Sequence, residues 1–190
     1  MLMFGPALEA GYTGAMPTDT EAIHKRNIEL TESTLDLYDP GKLTVAIGTA
    51  GLVLSGVRLP YALRDVDVMA PQEYIDDLRQ AMGRDYMADT SRLDDIEYEP
   101  DVDMRGIYLR PNTAHPDRDR LLPFQAFSAL VDGNYAMTYE QARELAYPHS
   151  STGRLVMYPD EVLRWKAASA DEKHQKFVDG VIKQTMGRTL

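Results

Sequence analysis

The stretch from Val45 to Met69, VAIGTAGLVLSGVRLPYALRDVDVM, constrains this chain more than any other part of it. An apolar run ends in a glycine turn, a short helical segment follows, and the chain returns to a strand-like segment. In that strand Asp65 and Asp67 are two residues apart. Since side chains at i and i+2 of a strand project from the same face, both carboxylates are expected to enter one small volume.

Two carboxylates held together repel each other and lose solvation, so their proximity calls for a compensating partner. A hard divalent cation such as Mg²⁺ or Mn²⁺ is the usual partner, since it takes oxygen ligands and leaves positions free for phosphate oxygens. Val66 and Val68 face the opposite way and supply an apolar flank. The alternative is that the two aspartates are simply solvated on an exposed strand.

Composition favours one soluble domain. The chain has 190 residues, 44% of them hydrophobic, a net charge of −10 and no cysteine. We expect a loop-like segment over residues 1–17 and a single domain over 18–190, with C-terminal helices from about residue 159. No apolar run reaches the roughly 20 residues that a membrane span needs. The start lacks a signal peptide's basic region, which favours a cytoplasmic location. The acidic balance argues against a general nucleic-acid-binding surface.

The order of Gly48-Thr49, a short helix and Asp-Val-Asp-Val resembles the signature of the polymerase-β-like nucleotidyltransferases. In that family a Gly-Gly or Gly-Ser precedes a helix and an hDhDh strand, and a third carboxylate lies on a later strand. A second region, from Leu155 to Val181, resembles the strand and helix pair that end the small bacterial toxin and antibiotic-modifying members. The chain departs from the pattern at Arg64, where Ser or Thr is common, and at Thr49, where Gly or Ser is commoner.

The resemblance implies a fold, an activity and a site. The fold would be α/β (α+β), with a small mixed, twisted sheet and flanking helices. The activity would be metal-dependent transfer of a nucleoside monophosphate from an NTP to a hydroxyl acceptor, with release of pyrophosphate. Asp65, Asp67 and Asp103 would be the catalytic and metal-binding carboxylates, with Mg²⁺ or Mn²⁺ as cofactor.

The third carboxylate is predicted from the acidic stretch LDDIEYEPDVDMRGIYL. Val102-Asp103-Met104 repeats the apolar–acid–apolar pattern, which makes Asp103 the first candidate and Asp101 the second. Pro100 makes an unbroken central strand through this stretch unlikely. The alternative is a solvated acidic edge that has no role in a site.

The triphosphate contacts are predicted at Gly48, Thr49, Arg58 and Lys166. Glycine lets backbone N–H groups approach phosphate closely, and the start of a helix favours anions. Arg58 could reach the phosphates from between the turn and the aspartates, or could be a surface arginine. Lys166 matches the first lysine of the C-terminal motif, and Lys173 matches a later one.

The acceptor is left open by the sequence. It could be a small molecule, a protein or a tRNA end, and a partner antitoxin is possible; the acidic charge favours a cationic small molecule or a protein. A different class of function is a non-catalytic domain of the same fold that binds nucleotide or a protein partner. A third is an unrelated acidic α/β protein with solvated aspartates.

Overall fold

A mixed sheet of seven strands forms the centre of the protein, in a computed structural model that describes residues 17–88, 96–100, 106–111, 116–132, 135–169 and 171–186. The described strands are β1 Val45–Ala46, β2 Val66–Met69, β3 Ile96–Pro100, β4 Gly106–Pro111, β5 Phe124–Phe127, β6 Ala129–Asp132, β7 Tyr135–Thr138, β8 Ala146–Pro148 and β9 Leu155–Met157. The described helices are α1 Pro17–Tyr38, α2 Gly48–Leu54, α3 Gln72–Ala88, α4 Tyr139–Glu144, α5 Pro159–Ala168 and α6 Glu172–Met186. A mixed sheet flanked by helices confirms the predicted fold class.

The strand order is β3-β4-β5-β2-β1-β9-β8, with β6 and β7 forming a separate two-stranded hairpin. Two neighbouring pairs, β2 with β5 and β1 with β9, run parallel. The other neighbours run antiparallel. As a result β2, which carries Asp67, has β1 on one side and β5 on the other.

One face of the sheet is wholly apolar. Val66 and Val68 of β2 and Phe124 of β5 are fully buried there against Leu35 of α1 and Ile75 of α3. The alternation of these side chains with partly exposed ones follows from the two-residue period of a strand. This face anchors the sheet and leaves the opposite face of β2 for the aspartates.

A second apolar cluster covers part of the opposite face. Ile47 and Met69 pack there with Val162 and Trp165 of α5 and with Met137 of the β6–β7 hairpin. Helix α5 begins with a proline at its first turn, where a missing N–H costs nothing. The predicted C-terminal helices therefore start at the expected place and lie against the face that carries Asp67.

The strand with the aspartates is shorter than the sequence predicts. It begins at Val66, whose N–H donates to Pro123 O at 2.8 Å, so Asp65 lies directly before the strand. Upstream, the Leu63 N–H donates to the side chain of Asn27 at 3.0 Å, and the Asn27 amide donates to Tyr61 O at 2.9 Å. These contacts tie the segment to α1 and keep it out of the sheet.

Helix α2 begins at Gly48, because the glycine itself takes part in the first turn. Helix α1 begins at Pro17, while residues 1–16 lie outside the described ranges. Within those ranges, no helix combines the length and apolar character that crossing a membrane requires.

Candidate active site

Asp67 lies at the centre of β2 on the face that points towards α5. Its neighbours Val66 and Val68 are fully buried on the other face, whereas Asp67 keeps part of its surface exposed. The backbone carbonyl of Asp67 accepts a hydrogen bond from Ile47 N at 3.0 Å, which joins the strand to the glycine turn. The turn and the carboxylate are thus fixed relative to each other by the sheet.

Gly48 packs directly against the Asp67 carboxylate. A Cβ atom at Gly48 would lie 2.7 Å from Asp67 Oδ2, which is closer than real side chains come. The φ angle of Gly48 is +59°, a backbone conformation that glycine adopts without steric cost. The glycine is therefore required twice, for its backbone conformation and for the room that the carboxylate occupies.

Asp65 lies one residue before β2, and its carboxylate is close enough to raise the pKa of Asp67. Burial is the larger cause, and together they raise the pKa of Asp67 from 3.8 to about 7. Burial also raises the pKa of Asp65, against the lowering effect of nearby Lys166, Arg64 and Lys173. The structure therefore brings the two aspartates together in a place where their negative charge is disfavoured.

Lys166 on α5 faces this pair from a buried position, with 5% of its surface exposed. Its Nζ lies 4.8 Å from the centre of the Trp165 ring and 5.3 Å from that of Phe177. Burial lowers the pKa of Lys166, while the charges of Asp67 and Asp65 raise it. The two aromatic faces stabilise the ammonium group and hold it next to the carboxylates.

The other two predicted cations, Lys173 and Arg58, lie in different parts of the structure. Lys173 on α6 is exposed and acts on both carboxylates, and it also pairs with Asp171 at 2.9 Å. Arg58 is exposed on the segment after α2, and its charge, after burial, lowers the pKa of His24 on α1. Among the described cations, those that affect the pKa of the aspartates are lysines on α5 and α6 and Arg64 beside Asp65.

The strand next to β2 carries a polar residue, Gln125, level with Asp67. Asp67 and Gln125 are direct partners in the parallel pairing of β2 with β5, so their side chains leave the same face. Gln125 is partly exposed, whereas Phe124 and Ala126 on either side of it are buried. Sequence reasoning missed this residue, because alternation in the short FQAF strand was hidden in an apolar run.

The prediction that Asp103 lies on a strand beside the aspartates stays a prediction, because Val102-Asp103-Met104 falls outside the described residues; the described strands beside β2 are β1 and β5. In the sequence, the acidic stretch is followed by β4, and β4 pairs with β5. Gly106, the first residue of β4, pairs with Phe127 of β5, and Phe127 pairs with Met69 of β2. Met69 is the last residue of β2, at the end away from Asp65. Asp101 and Asp103 themselves lie outside the described residues.

The carboxylate oxygens of Asp65 and Asp67 suit a divalent cation that also keeps water or phosphate oxygens as ligands. Two neighbouring carboxylates supply oxygen atoms, and their raised pKa values mean that a positive charge between them would be favoured. Within the described part of the chain, no group of three His, Asp or Glu side chains could enclose a metal. Mg²⁺ suits this arrangement, because it commonly binds through one or two carboxylates and completes its shell with water and phosphate oxygens.

The comparisons with known proteins found a likeness at the level of structure alone. No family model and no curated protein sequence matches the chain. Among solved structures, the chain is similar to the lincosamide antibiotic adenylyltransferase LnuA in its lincomycin-bound crystal structure. The TM-score is 0.49 and the identity 9%, over 89% of this chain and 98% of that chain. That protein is a nucleotidyltransferase, and at this identity no residue of one chain is assigned to a residue of the other.

Proposed function

We propose that the protein is a metal-dependent nucleotidyltransferase that moves a nucleoside monophosphate from an NTP to a hydroxyl group of an acceptor. The observation that carries the proposal is the pair Asp65 and Asp67, whose negative charge is disfavoured by burial and mutual repulsion. Asp67 packs against Gly48, and the pair is faced by the buried ammonium of Lys166. Such an arrangement is costly in a protein that does not use it, and it suits a cation and a polyphosphate.

Each group has a role in an in-line displacement. The acceptor oxygen attacks the α-phosphorus, the bond from that phosphorus to the bridging oxygen breaks, and pyrophosphate leaves. Lys166 and the backbone N–H groups of Gly48-Thr49 donate to the phosphate oxygens, and the Thr49 hydroxyl adds one further donor. Asp65 and Asp67 would hold Mg²⁺ or Mn²⁺, which when bound supplies positive charge to the phosphoryl oxygens.

The proton of the acceptor hydroxyl needs a carboxylate base. Asp103 remains the prediction for that third group and Asp101 the second choice. Arg58 remains a predicted phosphate contact, although Lys166 is the cation next to the aspartates. The acceptor class stays open between a small molecule, a protein and a tRNA end, and the net charge of −10 favours a cationic molecule or a protein.

Transfer of labelled phosphate tests the proposal. The protein is incubated with Mg²⁺, each of the four NTPs labelled at the α-phosphate, and a panel of hydroxyl-bearing small molecules, proteins and tRNA. Label should move from one NTP to one acceptor class with an equal amount of pyrophosphate released. If no acceptor is labelled but the NTP binds, the protein is a non-catalytic nucleotide-binding domain, an alternative that Gln125 beside Asp67 favours.

Replacing Lys166 with Met should weaken ATP binding about 10- to 100-fold, because a hydrogen-bonding charge is lost from the phosphate site. Methionine keeps an unbranched apolar stem between Trp165 and Phe177, so packing is largely retained. Calorimetric titration with Mg-ATP measures the change. The control is Lys176→Met, which removes an exposed lysine that pairs with Glu172 on helix α6. Equal ATP affinity in wild type and Lys166→Met would place the phosphate site elsewhere.

A further inference from the structure

A hydrogen-bonded cluster beside the candidate site has no role in the function proposed so far. Its centre is Asp132, the last residue of β6. The carboxylate accepts from Trp165 Nε1 at 3.1 Å and from Ser169 Oγ at 2.8 Å, and it lies 3.3 Å from His174 Nδ1. Four groups from the hairpin, α5, the turn after it and α6 are thereby tied together.

The contacts determine which nitrogen of His174 carries the proton. Ser169 has one hydroxyl proton, and it goes to Asp132 Oδ1. Burial raises the pKa of Asp132, but the hydrogen bonds from Ser169 and Trp165 and the contact with His174 together lower it below its usual value, so its carboxylate only accepts. His174 Nδ1 lies 2.8 Å from Ser169 Oγ. Asp132 and Ser169 both act as acceptors towards Nδ1 of His174, so Nδ1 must carry the hydrogen. In the neutral imidazole the lone pair is then on Nε2.

His174 shares its surroundings with the aspartate pair. Its ring lies edge-on to Trp165, with centroids 5.8 Å apart, and the other partner of the Trp165 ring is the Lys166 ammonium at 4.8 Å. The charges of Lys166 and Lys173 act both on the histidine and on Asp67. The histidine therefore lies within range of the two lysine charges that also act on the carboxylates.

Burial and the nearby charges together lower the pKa of His174, which favours the neutral ring in the free protein. Burial is the main cause of its lowered pKa, and Lys166 on α5 and Lys173 on α6 contribute to it. Asp132 on β6 and Asp171 in the turn before α6 act in the opposite direction. The two nearby ammonium groups disfavour protonation of the His174 ring. A bound polyanion would offset their charge and favour the protonated ring.

We propose that His174, oriented by Asp132 and Ser169, is an anion-binding group that takes up a proton on Nε2 when the triphosphate of the NTP binds. The proton comes from solvent, which the ring reaches with 19% of its side chain exposed. Protonated Nε2 then donates to a phosphate oxygen alongside Lys166. The inference rests on the proposed function, because it assumes that a triphosphate occupies the site.

Asp132 acts here as a positioning residue. It fixes the Nδ1–H form of His174 and also holds the indole of Trp165, on whose face the Lys166 ammonium lies. Asp132→Asn should lower the pKa of His174 further, because the carboxylate that favours the charged ring is gone. In that variant ¹⁵N chemical shifts should show the Nε2–H form gaining population. A wild-type ring that is already protonated at Nε2 when neutral would overturn the orientation.

The decisive measurement is an NMR pH titration of the histidine rings with and without inorganic tripolyphosphate and Mg²⁺, with binding followed separately by calorimetry. His174→Gln assigns the signal. His149 is the internal control, because its Nδ1 contacts only the hydroxyls of Thr152 and Ser151 among its described partners. The pKa of His174 should rise by about one unit on binding, as expected for a new neighbouring anion. That of His149 should not change.

The outcomes separate the two claims. If tripolyphosphate binds and the pKa of His174 does not move, this inference is wrong and the phosphate site stands. If tripolyphosphate does not bind at all, the phosphate site is wrong and the inference falls with it. As a second readout, the affinity advantage of wild type over His174→Gln should grow severalfold from pH 8 to pH 6, because a rise of one pKa unit limits the growth to about 10-fold. The advantage over His149→Gln should stay constant.

Discussion

Asp67→Asn is expected to lower nucleotidyl transfer by at least about 10²- to 10³-fold while leaving the fold intact. Asparagine keeps the shape that packs on Gly48 but removes the negative charge that would hold the cation. The measurement is the initial rate of label transfer, or of pyrophosphate release, under saturating Mg²⁺ and NTP. Asp77→Asn is the matched control, because Asp77 is an exposed aspartate on α3, on the opposite face of the sheet.

The same substitution should stabilise the protein at alkaline pH. Because the pKa of Asp67 is raised from 3.8 to about 7, the folded protein holds a proton that the unfolded chain releases. The free energy of unfolding therefore falls as pH rises between about 4 and 7, and stays low above pH 7. Asparagine carries no charge and avoids this loss, so the variant should be more stable by about 4 kcal/mol at pH 8 and unchanged at pH 4.

Denaturant unfolding in the presence of a chelator measures this effect at both pH values. Asp77→Asn should match wild type at each pH. A fully active Asp67→Asn variant would remove the carboxylate pair from the mechanism. An Asp67→Asn variant that is less stable than wild type at pH 8 would show instead that the carboxylate is compensated within the fold.

Gly48→Ala is expected to cost both stability and activity. A Cβ atom would lie 2.7 Å from Asp67 Oδ2, and the backbone φ of +59° is unfavourable for alanine by about 1–2 kcal/mol. The carboxylate must then move, and displacement of a reacting group by about 1 Å can lower turnover about 100-fold. We expect a loss of at least that size in kcat, measured by label transfer.

Gly56→Ala separates the two causes. Gly56 also has a positive φ, +86°, but nothing lies within 4 Å of the Cβ that alanine would add. It should lose a similar amount of stability in denaturant unfolding and keep its turnover. If Gly56→Ala loses as much activity as Gly48→Ala, backbone strain and not the contact with Asp67 is responsible.

Features set by neighbouring residues could be predicted from the sequence. The glycine turn, the short helix and the Asp-x-Asp strand are a local pattern, and Gly48 does lie against Asp67. Pro159 and the acidic first turn of α5 likewise place the helix that brings Lys166 to the aspartates. In each case the features lie close together along the chain, so few alternatives exist.

Features that depend on distant strand pairing could not be predicted. The insertion of β5 between β2 and β4 gives Asp67 the neighbour Gln125, 58 positions further along the chain. The hydrogen bonds of Asp132 similarly join the β6–β7 hairpin to α5 and α6. Short strands of four residues carry too little pattern to fix their partners.

Mn²⁺ binding followed by EPR tests the carboxylate pair most directly. Wild-type protein should bind one Mn²⁺ ion, with an affinity about 10-fold higher at pH 8 than at pH 6, because the cation competes with the proton on Asp67, whose pKa is raised to about 7. Asp67→Asn should lose this site, and Asp77→Asn should retain it. Mn²⁺ binding that is equal in wild type and Asp67→Asn, or that does not change with pH, would contradict a metal site at Asp65 and Asp67.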